Sequence, residues 1–72
     1  MEFDYHKFLV DTWGEPERLV TFLHAYGRVN ANYHTVNQWF RRKSVPSNWF
    51  AVLLALLEIE TGKPVSLVAY LT

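Results

Sequence analysis

Between Tyr33 and Lys43 the chain reads YHTVNQWFRRK, and most of these side chains can hydrogen-bond. Asn and Gln carry a donor and an acceptor side by side, matching N6 and N7 of adenine, and Arg matches O6 and N7 of guanine. At about 100° per residue, Val36, Trp39 and Phe40 fall within about 100° of arc. His34, Asn37, Gln38 and Arg41 then point the opposite way, with Arg42 beside them. One helix would thus combine a core stripe with a face suited to base edges in the major groove. Arg41, Arg42 and Lys43 close that helix, where cations hold phosphates or simply complement the helix dipole. A merely solvated helix more often uses Glu and Lys than Asn and Gln, which favours contact over solvation.

Other chemistry finds little support. His6, His24 and His34 lack metal-ligand spacing such as H-E-x-x-H, and no pair of acids suggests general acid/base work. Ser44, Ser47 and Ser66 sit in turn or capping contexts, and His24 reads as a partly buried surface histidine. No catalytic activity, cofactor, metal or small-molecule ligand is expected. The chain has no cysteine, so neither a disulfide framework nor a thiolate zinc site is expected, in keeping with a reducing interior.

Seven basic and seven acidic residues cancel, whereas phosphate binding usually leaves a domain basic. Their positions matter more than their sum. The acids are Glu2, Asp4, Asp11, Glu15, Glu17, Glu58 and Glu60, so the stretch from Arg18 to Leu57 contains Arg18, Arg28, Arg41, Arg42 and Lys43 and no acid.

The elements that must position these residues are helical. Apolar residues recur at helical spacing without strand-like alternation, and with half of the 72 residues apolar there is material for one packed core and one domain over residues 1–72. Asp4 suits the N-cap of a first helix that places Tyr5, Phe8, Leu9 and Thr12 on one face and ends near Trp13-Gly14. Pro16 suits the first turn of a second, with Leu19, Phe22, Leu23 and Tyr26 inward and Gly27 as its stop. Arg28 to Ala31 form a turn, Asn32 caps a third helix from Tyr33 to about Arg42, and Pro46 or Ser47 opens a fourth that Gly62 ends. Val65 to Leu71 (VSLVAYL) reads as a short fifth helix. The expectation is an all-α, five-helix domain in which helices two and three, joined by a glycine-containing turn, form a helix-turn-helix.

Two families share parts of this pattern. Val36-x-x-Trp39-Phe40 resembles the third helix of a homeodomain, but Arg42 stands where that family has an adenine-reading asparagine, and about thirty residues follow. From about Trp13 to Leu57 the chain is more similar to the lambda-repressor and Cro-like helix-turn-helix family, through Val36-Asn37-Gln38-Trp39 in the reading helix and Val45-Pro46 opening the next one. The tail Glu60-Thr61-Gly62-Lys63-Pro64-Val65 looks like a form seen in small prophage-type regulators. One departure is the distance from Gly27 to Trp39, about three residues longer than in the family's G-V-S-x-x-x-V-x-x-W. An extended turn would then set the register of base contacts.

This resemblance implies base reading by Tyr33, His34, Thr35, Asn37 and Gln38; helical geometry independently favours His34, Asn37, Gln38 and Arg41. Phosphate contacts are expected from Arg28, Asn32, Arg41, Arg42 and Lys43. The resemblance also implies a regulator, in the sense of a repressor, binding operator DNA in the cytoplasm of a bacterial or phage-infected cell. A protein-binding module on the same scaffold, or a DNA-binding small subunit of a phage packaging machine, are the alternatives.

The fourth helix raises a separate question. Trp49, Phe50, Val52, Leu53, Leu54, Leu56, Leu57 and Ile59 cover nearly its whole circumference, and a helix apolar all round must be buried all round. A domain of this size has too little chain to wrap it, so part of it, or of the fifth helix with Leu67, Val68, Tyr70 and Leu71, is expected to meet a second copy or another protein. The alternative is a central helix covered by helices one, two, three and five. A homodimer would suit a palindromic site. The longest apolar run, Trp49 to Leu57, is well short of the roughly 20 residues of a membrane span, and Met1 to His6 lacks a basic leader. A soluble, intracellular protein is expected.

Overall fold

Asp4 starts the first helix as expected: its carboxylate accepts a hydrogen bond from the Lys7 N–H at 3.0 Å, satisfying one of the donors that a helix start leaves free. In the computed structural model, which describes residues 2–72, α1 spans Tyr5–Thr12, α2 Pro16–Ala25, α3 Tyr33–Arg42 and α4 Ser47–Thr61. Pro16 occupies the first turn of α2. Asn32 caps α3, its side-chain oxygen accepting from the Thr35 N–H at 2.8 Å.

The ends of α2 and α3 close in the same way. The Arg28 N–H donates to the Leu23 carbonyl at 2.9 Å and the Ser44 N–H to the Trp39 carbonyl at 3.2 Å. Each of these bonds requires the preceding residue to be left-handed. At α2 that residue is Gly27, with φ 82°; at α3 it is Lys43, with φ 57°, the one non-glycine with positive φ among the described residues.

The connection from α2 to α3 is the extended turn that the spacing predicts. Ala31 donates its N–H to the Arg28 carbonyl at 3.1 Å, which folds Arg28 to Ala31 back on itself and leaves Val29 74% exposed at the tip. His24 fastens it: Nε2 donates to the Ala31 carbonyl at 2.7 Å. Ala31 is fully buried, so this bond serves a carbonyl that water cannot reach.

The buried residues form one continuous cluster: Phe8, Leu9 and Trp13 from the α1 end, Leu19 and Leu23 from α2, Ala31, then Val36, Trp39 and Phe40 from α3, Val45, and Leu53, Leu56 and Leu57 from α4. All three residues of the α3 core stripe are therefore inside. In α1, Thr12 is exposed and Trp13, just past the helix, takes the inward place beside Phe8 and Phe22.

One expectation needs correction. The fifth helix is absent: within Val65 to Leu71 there is only a single 3-10 turn, Val68–Tyr70, after which Leu71 is extended and pairs with Phe3 in an isolated antiparallel bridge. Bonds from Asp4 N–H to the Tyr70 carbonyl at 2.6 Å and from Thr72 N–H to the Glu2 carbonyl at 2.8 Å flank that bridge. A seven-residue segment is too short to hold a helix by itself. Here Tyr70 is drawn onto Phe3 and Phe8, and the backbone satisfies its groups by pairing with residues 2–4. The described protein is a four-helix, all-α structure. As expected for so short a chain, α4 is not buried all round, and the fully central alternative does not hold. Leu53, Leu56 and Leu57 are inside and Trp49, Phe50, Val52 and Leu54 partly so, while Ala51 and Ala55 are exposed and Ile59 is 67% exposed.

Candidate nucleic-acid interface

Helix α3 is held between two well-formed ends, Asn32 before it and Lys43 after it, and packs most closely against α2. With Val36, Trp39 and Phe40 fixed in the core, its orientation about its own axis is set. The outward side carries His34, Arg41 and Arg42, all exposed, and Asn37 and Gln38, half-buried. No acid lies on this helix.

These side chains fall into two rows, each stepping one helical turn. Tyr33, Asn37 and Arg41 form one row, with Tyr33 50% exposed at its start. His34, Gln38 and Arg42 form the other and line a cleft of about 360 Å³ together with Thr35, Trp39, Ser44 and Pro46. In this second row the Gln38 Nε2 lies 3.5 Å from the His34 Nε2. The cleft exists because Val45 is buried, which pulls the chain after Lys43 back toward the core and sets Ser44 and Pro46 opposite the row.

Not all the expected phosphate ligands are brought together. Arg41, Arg42 and Lys43 cluster at the end of α3. Arg28 instead lines a separate cleft of about 240 Å³ with Asn30, Asn48, Trp49 and Val52. Trp39 and Trp49, ring centroids 5.5 Å apart, pack against each other, one lining each cleft. Asn32 spends its side-chain oxygen on the helix cap, so only its amide N–H groups remain for a phosphate. Thr35 gives its backbone N–H to that cap and its side chain to the first cleft. Sequence reasoning missed Asn30, Asn48, Ser44 and Pro46 as cleft residues. For Ser44 and Pro46 the available signal was the apolar Val45 between them.

The perturbed titratable groups lie away from this face. Tyr26 at the end of α2 donates to the Glu60 carboxylate near the end of α4. That hydrogen bond, aided by partial desolvation and the carboxylate charge, raises the Tyr26 pKa above the usual phenol range. Tyr70 is also raised, first by burial and then by Asp11. Among the described residues no group of three His, Cys, Asp or Glu side chains could hold a metal ion, and no helix is long and apolar enough to cross a membrane.

The arrangement presents amide and guanidinium groups in two rows on the outward side of α3, with cations at the helix end. Comparison with protein families, with characterised proteins and with solved structures finds no match to this chain.

Proposed function

We propose that the protein binds double-stranded DNA sequence-specifically as a helix-turn-helix regulator of the Cro and repressor kind, with α2 and α3 as the motif and α3 in the major groove. One observation carries the reading: α3 buries Val36, Trp39 and Phe40 and turns an acid-free face of His34, Asn37, Gln38, Arg41 and Arg42 outward. Asn37 and Gln38 would address bases, and Arg41, Arg42 and Lys43 would hold phosphates. Arg28, in its separate cleft, would touch the backbone at a different place from that cluster.

The test is a salt-titrated binding assay with duplex from the gene's own upstream region against a scrambled control. Preference for the first, with log K falling linearly in log salt, supports the proposal; no preference and no slope refute it. Asn37→Ala should cost about 1 to 3 kcal/mol on the preferred site and little on the scrambled one. Equal losses on both would show that Asn37 does not read bases.

Exposed Ile59, with Ala51 and Ala55 on the same helix, favours a homodimer through α4 as part of this proposal. Sedimentation of the wild type and of Ile59→Glu tests it, the variant being expected to sediment as a monomer. Because α4 leaves an apolar face open, a protein-binding module is the competing reading. A packaging subunit would share the DNA contacts, and only the neighbouring genes separate it from a regulator.

A further inference from the structure

We infer that His34 is a positioning residue, which holds the Gln38 amide so that the two side chains act as a single reader of adenine. The inference rests on the DNA-binding reading above and deepens it. His34 and Gln38 stand one turn apart and line the same cleft, and the Gln38 Nε2–H is directed to the His34 Nε2 at 3.5 Å. Gln38 is half-buried although it lies on the outward side of α3, and it lines the cleft.

At 3.5 Å the contact is long for a hydrogen bond, so it biases the Gln38 rotamer and does not lock it. A glutamine free in solvent has many rotamers to give up when it docks on a base, and one already leaning on a neighbour has fewer. A primary amide also carries two N–H groups. With one turned to His34, the other remains beside the carbonyl oxygen, the donor and acceptor pair that adenine's N7 and N6 amino group match. For His34 to accept at Nε2, its ring proton must sit on Nδ1. Asn37 belongs to the other row, with Tyr33 and Arg41, and is independent of this arrangement.

The experiment selects binding sites from a randomised duplex pool with the wild-type protein, His34→Ala, Gln38→Ala and the double variant. The wild type should prefer adenine at one position, and Gln38→Ala should lower that preference roughly 5- to 150-fold. His34→Ala should lower it at the same position by about 3-fold or more, with non-cognate binding unchanged, and the double variant should match Gln38→Ala alone. A change of preference at a different base pair, or effects that add in the double variant, would mean that His34 reads by itself and would overturn the inference while leaving DNA recognition intact. A wild type without preference at any position would overturn both. In the free protein, His34→Ala should shift the NMR signals of the Gln38 side-chain amide; unmoved signals would also overturn the inference.

Discussion

Lys43 occupies a backbone conformation in which most helices place glycine, and replacing it separates stability from binding. Its φ of 57° and ψ of 38° bring Cβ against the neighbouring carbonyl, which costs an L-residue roughly 1 to 2 kcal/mol. Lys43→Gly removes that cost. Against it stand about 0.4 to 1 kcal/mol from the greater freedom of glycine in the unfolded chain, and about 0.3 kcal/mol from the loss of one exposed cation at a helix end. The net expectation is a gain of about 0.5 kcal/mol, which for a domain of this size raises Tm by roughly 2 to 4 °C. If Lys43 also holds a phosphate, the same variant should weaken binding to all duplexes alike and reduce the slope of log K against log salt by about 0.9. Lys43→Asn serves as the control, since asparagine tolerates the left-handed region and lacks the charge. Thermal melts and salt-titrated binding on the same samples give both readouts. A Lys43→Gly protein that melts lower than wild type would refute the strain reasoning, and one with an unchanged salt slope would remove Lys43 from the phosphate contacts.

Other expectations follow from single contacts. His24→Ala leaves the buried Ala31 carbonyl without a donor and should cost about 1 to 3 kcal/mol in urea unfolding; a loss below the error of the measurement would show that the turn does not depend on this bond. Leu53, fully buried, should cost about 2 to 5 kcal/mol when replaced by Ala, and retention of full stability would place it outside the core. The raised Tyr26 pKa means that the folded state favours the neutral phenol, so its contribution is complete below the ordinary phenol range near about pH 10 and is lost as pH rises through the folded value. Tyr26→Phe should therefore flatten part of the alkaline loss of stability, and an unchanged alkaline limb would show that the contact with Glu60 is not formed in solution.

Most helix boundaries were legible because they are written in residues with their own mechanism. Asp4 and Asn32 are caps, Pro16 and Pro46 begin helices, and Gly27 and Gly62 end them. The inward stripe of α3 was legible for the same reason, since three residues at helical spacing have only one way to be buried together. What failed depends on contacts between distant parts of the chain. Val65 to Leu71 has a helical apolar pattern, yet Tyr70 belongs to the aromatic cluster around Phe3 and Phe8, and pairing with residues 2–4 replaces the helix. The apolar circumference of α4 showed that the domain could not wrap it fully, but composition cannot say which side of a helix lacks neighbours. The position of Arg28 was likewise beyond the sequence, since the turn that His24 fastens carries it to the cleft beside Trp49, apart from Arg41, Arg42 and Lys43. The division of the α3 face into two rows was implicit in the helical period, but the cleft along one row needed the position of Ser44 and Pro46.

The paired indoles of Trp39 and Trp49 carry a practical consequence. Rings with centroids 5.5 Å apart couple their electronic transitions, so this pair should give a near-ultraviolet circular dichroism signal set by the angle between α3 and the start of α4. Trp39 borders the cleft of the His34 row and Trp49 the cleft of Arg28, so anything seated in either cleft changes the surroundings of one member. Trp13 packs with Phe8 and Phe22 and lines neither cleft, so it contributes a steadier background. Occupancy of either cleft should therefore be readable from this pair without a label.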